Sequence, residues 1–496
     1  MTGADGVGDP LTAAVRSVAQ AAIDRAEDPQ ARAMLAGAVE RLAQPLRLAI
    51  AGRVKAGKST LLNALVGEEL APTDAGECTQ LVTWYIGGDH AAVTAHRMDG
   101  RREQRPFGRE AGALEIDLGA PVEEIDHLEV IWPSSRLRDV TLIDTPGIAS
   151  LSTEISDRVS LLLETDEDRP PLVDAVLYLM RHTHASDTRF LEAFHDDEVG
   201  RGTPVNALGV LSRADEIGAC RLDALEVAAR VADRYQHDPR IRRLCPLVIP
   251  VAGLLGQTGM TLREHEYRAL ARVAELPEEA MADLLLTADR LTSDDAAIDL
   301  TELERRHLAD RLGLFGVRLS VTLIRDGEVH SATELAARLT RSSGLDDLRN
   351  VLLRQFTERS RLLRARSALA MVRSVVRHGG CADAAMLEAA IEEVTSSAHE
   401  LVEVRLLNDL RSGAVEVPGD LENEMDRLLG GSGHSAAGRL GLPEDAPPEQ
   451  QRTAALEALA RWQQVAASPL SSRPVQLAAR GVTRTCEGLL AELAAG

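Results

Sequence analysis

Lysine is nearly missing from this chain of 496 residues: of its 55 basic side chains only Lys55 and Lys58 are lysine, and the rest are arginine. A sequence so rich in alanine, leucine and arginine points to a coding bias that replaces lysine wherever a generic cation suffices. The two survivors should then mark places where arginine's bulkier planar fork does not serve. Aromatic residues are also scarce, at 2%, so the cores must be built from Ala, Leu and Val, which favours helices over a β-sandwich. The five cysteines, Cys78, Cys220, Cys245, Cys381 and Cys486, form no CxxC pair and no metal spacing. Their odd number argues for a reducing, cytoplasmic setting. A positive surplus is lacking as well: the formal net charge is −22, a surface that repels nucleic acid and anionic membrane alike, and no nucleic-acid partner is expected. No apolar run reaches the roughly 20 residues of a membrane span. The opening "MTGADGVGDP" has neither a basic nor an apolar segment, so no signal peptide is expected.

What is present divides the chain in two. A length of 496 residues predicts two or three domains. After a leader at 1–10, residues 11–45 carry two helical patterns separated by a stop-and-restart signal at Asp28 and Pro29. The period then changes. "LRLAIAG" at 46–52 reads as a buried strand, and further strands are expected at 81–86, 127–133, 139–144, 174–180, 207–212 and 246–251, with helical stretches between most of the later ones. Such alternation predicts a mainly parallel sheet wound by helices. From about residue 262 the pattern is almost wholly helical, with a Gly-, Ser- and Pro-rich stretch at 430–448 expected to be flexible. The predicted fold class is therefore an α/β P-loop domain joined to a helical bundle made from the N-terminal helices and the C-terminal half.

The chemistry sits in the α/β part. Gly52, Arg53, Val54, Lys55, Ala56, Gly57, Lys58 and Ser59 spell GxxxxGK[ST] between a predicted strand and a predicted helix that opens at Ser59 and Thr60. In such a loop, backbone amides and a helix N-terminus cradle phosphates, the lysine reaches the β- and γ-phosphates, and the serine hydroxyl ligates Mg²⁺. Lys58 thereby explains one of the two retained lysines. "LIDTPG" ends a strand with Asp144, which can hold Mg²⁺ through a water, while the Gly147 amide can meet the γ-phosphate. "VLSRADEIG" places Ser212, Arg213 and Asp215 where GTPases carry [NT]KxD, whose aspartate accepts from both N–H groups on the guanine edge. Arginine stands here for the lysine whose stem covers the base, and it stacks on planar groups at least as well. Thr79, in the loop before the second strand, is placed to sense Mg²⁺ and hold the attacking water. Val251 and Ala252, after the last strand, can touch the base through their backbone.

Taken together these motifs resemble the dynamin superfamily, and in particular bacterial dynamin-like GTPases. "AGRVKAGKSTLLNALVGEELAPTDAGECT" carries the likeness, with "LIDTPG", "GVLSRADEIG", "VIPVAGLL", "RLGLFGVRLSVTLI", "SGLDDLRNVLLRQFTERSRLLRARSAL" and "GGSGHSAAGRLGLP", so that it spans nearly the whole chain. Among actinobacterial members it is similar to the isoniazid-inducible and sporulation-septum types. The resemblance implies a GTPase domain over 46–355 and a neck or stalk over 356–496 joined by the N-terminal helices. GTP is then the substrate, Mg²⁺ the cofactor, and GDP and phosphate the products. Small switch GTPases orient water with a glutamine directly after DxxG, but Ile148 stands there and cannot. The resemblance therefore implies catalysis by pairing two GTPase domains in a homodimer. Thr79 would position water, and Val54 and Lys55 lie in the stretch doing transition-state work, where Lys55 can supply a cation.

It also implies action at the inner face of the cell membrane, by peripheral contact or through a larger dynamin-like partner, at division septa or under envelope stress. The sequence itself gives this little support. "LGLFGVRLSVTLI" at 312–324 reads as a core helix, and the arginine-rich 349–377 as a helix packed inside a bundle. Two alternatives stand beside the membrane-remodelling reading: a regulatory GTPase whose helical half binds protein, and a P-loop ATPase.

Overall fold

The computed structural model describes residues 9–71, 81–110, 113–146, 172–181, 207–238, 247–293, 298–353 and 359–495 except 432 and 434, with Ile241, Cys245 and Phe356 between them. Thr79, Gly147 and Ile148 lie outside the described residues. Two helices open the structure, α1 (Pro10–Ile23) and α2 (Pro29–Arg41). Asp9 and Asp28 cap them by accepting the amides of Thr12 and Ala31, and each helix begins on a proline that needs no partner for a missing N–H.

The sheet begins at β1 (Leu46–Gly52), which leads into α3 (Lys58–Val66). It continues with β2 (Val82–Gly87), β3 (Ala92–Arg97), β4 (Arg102–Gln104), β7 (Ile125–Trp132), β8 (Val140–Asp144), β9 (Ala175–Met180), β10 (Ala207–Ser212) and β11 (Val248–Val251). A separate hairpin pairs β5 (Phe107–Glu110) with β6 (Ala113–Ile116). The nine-stranded order is β11-β10-β9-β1-β8-β2-β7-β3-β4. The five strands from β11 to β8 are mutually parallel, β2 runs against β8, and β3 and β4 close the edge as antiparallel neighbours.

Side-chain alternation gives the sheet two cores. Leu46, Leu48 and Ile50 of β1 pack with Leu61, Leu62 and Leu65 of α3 and with the helix Leu345–Leu352. Ala49 and Ala51 face the other way, toward Ala228 and Ala232 of the helix Ala224–His237. Burial on both faces is why the central strands read as continuous apolar runs in the sequence. Strands β3 to β6 were not foreseen. They are short and carry polar side chains such as His96, Arg102 and Glu103, so no long apolar period announces them.

A third core belongs to the helices between Gly253 and Ser342, where Leu308, Leu312, Phe315, Val317 and Val321 of the helix Glu302–Arg325 are buried. The stretch 312–324 is thus a core helix, as expected. The fourth core joins α1 and α2 to the helices from Ser360 onward: Val15, Ala19 and Leu35 pack with Ala365, Val372, Leu407 and Trp462. Helix Ser360–Arg377 straddles two of these bodies, with Leu363 in the sheet's core and Leu362 in the bundle's. Two of its arginines find partners within the protein. Arg364 donates to the carbonyl of Gln44 at 2.7 Å, and Arg373 pairs with Glu392 at 3.8 Å.

The glycines and prolines of 430–448 predict a flexible stretch, yet its described residues are built into the bundle. Arg359 donates to the carbonyl of Gly430, Arg411 to that of Gly431, and a short helix, Ala436–Arg439, buries Ala437. Small residues there let guanidinium groups reach the backbone.

Candidate functional site

Strand β1 ends against β9, and the phosphate loop starts from that contact. A Cβ on Gly52 would lie 2.7 Å from the carbonyl oxygen of Leu179, and its φ of +152° is one that side chains rarely adopt. The loop then turns through Lys55, which has a left-handed φ of 61°, to Gly57, and α3 begins at Lys58 with no side chain capping its amides. Those free N–H groups and the helix dipole make the loop an anion cradle. Lys58 is buried beneath it, its Nζ 3.3 Å from the carbonyl oxygens of Gly52 and Arg53. Burial lowers its pKa, and nearby Asp144 opposes that shift. Arg53, Val54 and Lys55 are all exposed on the outer rim.

Asp144 closes β8 directly beside this loop. Its Oδ2 accepts from the Ser59 hydroxyl at 3.2 Å, while its Oδ1 is buried with no partner among the described residues. Burial pushes this carboxyl up to about 6 against the pull of Lys58 and Ser59. An orphaned carboxylate oxygen next to a hydroxyl suits a hard divalent cation, as Mg²⁺ would be. The next residue, Thr145, donates its hydroxyl to the Ile50 carbonyl at 2.9 Å, which pins the DxxG segment to β1.

A second pocket opens beyond the loop, lined by Ala56, Gly57, Thr60, Leu179, Ser212, Arg213, Asp215, Val251, Gly253 and Leu254 among others. Strand β10 delivers Ser212, whose hydroxyl donates to the Met180 carbonyl at 3.3 Å. Arg213 then takes a left-handed φ of 52°, and Ala214–Glu216 form one 3₁₀ turn. That turn buries Asp215, at 5% exposure, and burial raises its carboxyl to about 6. No described side chain donates to it. Behind it, the helix Glu302–Arg325 breaks at Gly313, where φ is 65° and ψ 172°, and the break lies over the Asp215 carboxylate.

Of the residues expected at the site, Ala56, Gly57, Thr60, Ser212, Arg213, Asp215 and Val251 line this pocket, and Asp144 lies beside the phosphate loop against Ser59. Ala252 does not line it. The Ala252 amide donates to the Ser343 carbonyl at 2.9 Å and its side chain is buried with the Gly253–Ser342 helices, so Gly253 and Leu254 line the pocket in its place. Sequence reading also missed Glu216, which the local turn sets beside Asp215, and Leu179 and Gly313, which only tertiary packing brings to the pocket lining and over the Asp215 carboxylate.

A parallel sheet with a phosphate loop after its central strand, and a metal-suited carboxylate on the neighbouring strand, defines a P-loop nucleotide-binding protein. Residues 48–211 match the model of the dynamin family. The isoniazid-induced protein IniC of Mycobacterium tuberculosis is 41% identical over 457 residues, covering 92% of either chain. A bacterial dynamin-like protein of Nostoc punctiforme is 31% identical over 174 residues, 32% of this chain and 24% of that one. The chain belongs to the dynamin family, and it is a bacterial dynamin-like GTPase.

Proposed function

We propose that this GTPase converts GTP to GDP and phosphate faster when two of its GTPase domains pair, and that it works in remodelling or maintenance of the cytoplasmic membrane. The observation that carries the pairing is the rim of the phosphate loop. Val54 and Lys55 are exposed there, and Lys55 is held in a left-handed backbone conformation that non-glycine residues adopt sparingly. Ile148, in the water-orienting position, has no polar group. A second domain docked on this rim would exclude water from the phosphates, and Lys55 would offer its cation to charge developing on the γ-phosphate.

Ser59 and, through a water, Asp144 would hold Mg²⁺, with Thr79 completing the set. The bound ion would neutralise charge between the β- and γ-phosphates. Lys58 would bind the same oxygens, Gly147 would donate to the γ-phosphate, and Asp215 would accept from guanine under the cover of Arg213. In this reading residues 46–355 are the GTPase domain, and residues 11–45 with 356–496 form the neck and stalk. Among the described residues no helix is long and apolar enough to cross a membrane, so membrane contact would be peripheral or supplied by a larger dynamin-like partner.

The test is turnover against protein concentration, with GTP and ATP side by side. GTP use with specific activity rising with concentration supports the reading. A flat, slow GTPase that leaves vesicles untouched favours the regulatory alternative, and a preference for ATP would reject Asp215 as a guanine reader.

A further inference from the structure

Glu216 follows the base-reading aspartate and has no place in [NT]KxD. The Glu216 amide donates to the Arg213 carbonyl at 2.9 Å, and this tight turn brings the two side chains together, with Glu216 Oε1 accepting from Arg213 Nη1 at 2.6 Å. Its other oxygen, Oε2, accepts from Arg181, which follows directly on β9. One carboxylate thus holds two guanidinium groups, from two different strands, at the mouth of the base pocket. Asp215 directly precedes Glu216 in sequence and feels the charge of both arginines, and it is buried with no described side chain donating to it. Without a counter-charge, Arg213 or Arg181 would find in Asp215 the nearest carboxylate, and a bidentate arginine pair would occupy the oxygens that guanine must reach.

We infer that Glu216 is a positioning and specificity residue: it holds Arg213 across the mouth of the base pocket and diverts Arg213 and Arg181 from Asp215, whose oxygens stay open to the guanine edge. The arginine that departs from the usual lysine is therefore tolerated because this turn supplies its partner. Lysine, a compact point charge, does not compete for a carboxylate bidentately. The inference rests on the reading of Asp215 as the guanine reader.

The experiment measures nucleotide affinity and steady-state turnover for Glu216→Gln, Arg213→Ala and the double variant, with pyrophosphate as a ligand that uses the phosphate loop alone. For Glu216→Gln, the dissociation constants of GTP and GDP should rise about tenfold, roughly one charge-assisted hydrogen bond. KM should rise with them, kcat should stay within about twofold, and pyrophosphate should bind as before. Because Glu216 acts largely through Arg213, the double variant should lose little more than Arg213→Ala alone. Unchanged GTP affinity in Glu216→Gln would overturn the inference, as would fully additive losses or a matching loss of pyrophosphate. Asp215→Asn with xanthosine triphosphate separates the two ideas. If that variant fails to switch preference from GTP, the base reading falls; if it switches and Glu216→Gln is silent, only the role of Glu216 falls.

Discussion

Replacing Asp174 by asparagine should loosen the joint between the sheet and the helical half. Asp174 stands just before β9 at 3% exposure. Its Oδ2 accepts from the Arg41 guanidinium of α2 and from the Arg47 amide of β1 at 2.8 Å, and its Oδ1 accepts from the Ser367 hydroxyl at 2.8 Å. Arg366 is buried close by, its pKa lowered to about 10 by burial with Asp174 opposing the shift, and Arg41 is held the same way. Asparagine keeps the volume and one acceptor but removes the charge that these buried cations face. Breaking a buried pair costs about 3–5 kcal/mol, and the retained amide oxygen puts Asp174→Asn near about 3 kcal/mol. A chain of several domains need not unfold in one step, so the comparison belongs to one transition followed by circular dichroism, where the midpoint should fall by roughly 5 °C or more. A double-mutant cycle with Arg41→Met isolates the pair, and the two losses should be coupled by about 2 kcal/mol or more. A shift of under about 0.5 kcal/mol for Asp174→Asn, or strict additivity, would show that the joint is held by apolar packing and that the charge arrangement adds nothing.

Guanine recognition should be pH dependent. Asp215 titrates at about 6 and must be ionised to accept from the base, so GDP affinity should be full above about pH 7 and fall toward tenfold per unit below pH 6, while Asp215→Asn stays flat over the same range. Lys58→Ala should abolish turnover, since among the described residues no other cation is buried under the loop, and radiolabelled GTP hydrolysis at saturating nucleotide checks it. Lys55→Ala should leave GTP affinity nearly intact and remove the rise of specific activity with protein concentration; undiminished stimulation would place Lys55 outside the chemistry. Gly313→Ala should cost about 1–3 kcal/mol through backbone strain at its φ of 65° and ψ of 172°. Its Cβ would be 3.7 Å from Asp215 Oδ2, an ordinary contact, so a loss seen only in GTP affinity and not in thermal stability would contradict that account.

The parts of the fold set by local period were legible beforehand. Strand β1, the phosphate loop, α3, β8 with Asp144 and β10 with Asp215 follow from apolar runs that end in motif residues, because burial on both faces writes itself into consecutive positions. The helix start at Asp28 and Pro29 was legible for a local reason of another kind: a carboxylate that accepts a free amide, followed by a proline that has none to offer. Strands β3 to β6 were not, since each is three to six residues long and partly solvated. The contacts that shape the site were also hidden. Arg181 meets Glu216 across 35 positions, and Arg41 meets Asp174 across 133, distances over which a single sequence leaves no trace. The position of Ala252 away from the pocket has a tertiary cause: its amide is spent on Ser343, a partner contributed by a helix end far along the chain.

Strand β9 carries an implication for how the two ends of the molecule communicate. It begins beside Asp174, knotted into the arginines of the helices packed against the sheet, and ends at Arg181, knotted into the turn that carries Asp215. An extended strand spans roughly 3.3 Å per residue, and paired on both sides by β1 and β10 it behaves as a stiff rod of some seven peptide units. It has little slack with which to absorb a displacement. Tightening of the Asp215 pocket and seating of the helical half therefore share a mechanical path, and the coupling free energy that such a path carries is reciprocal between the two equilibria. Asp174→Asn, at the far end of the rod from the base, is then expected to register in GTP affinity as well as in melting.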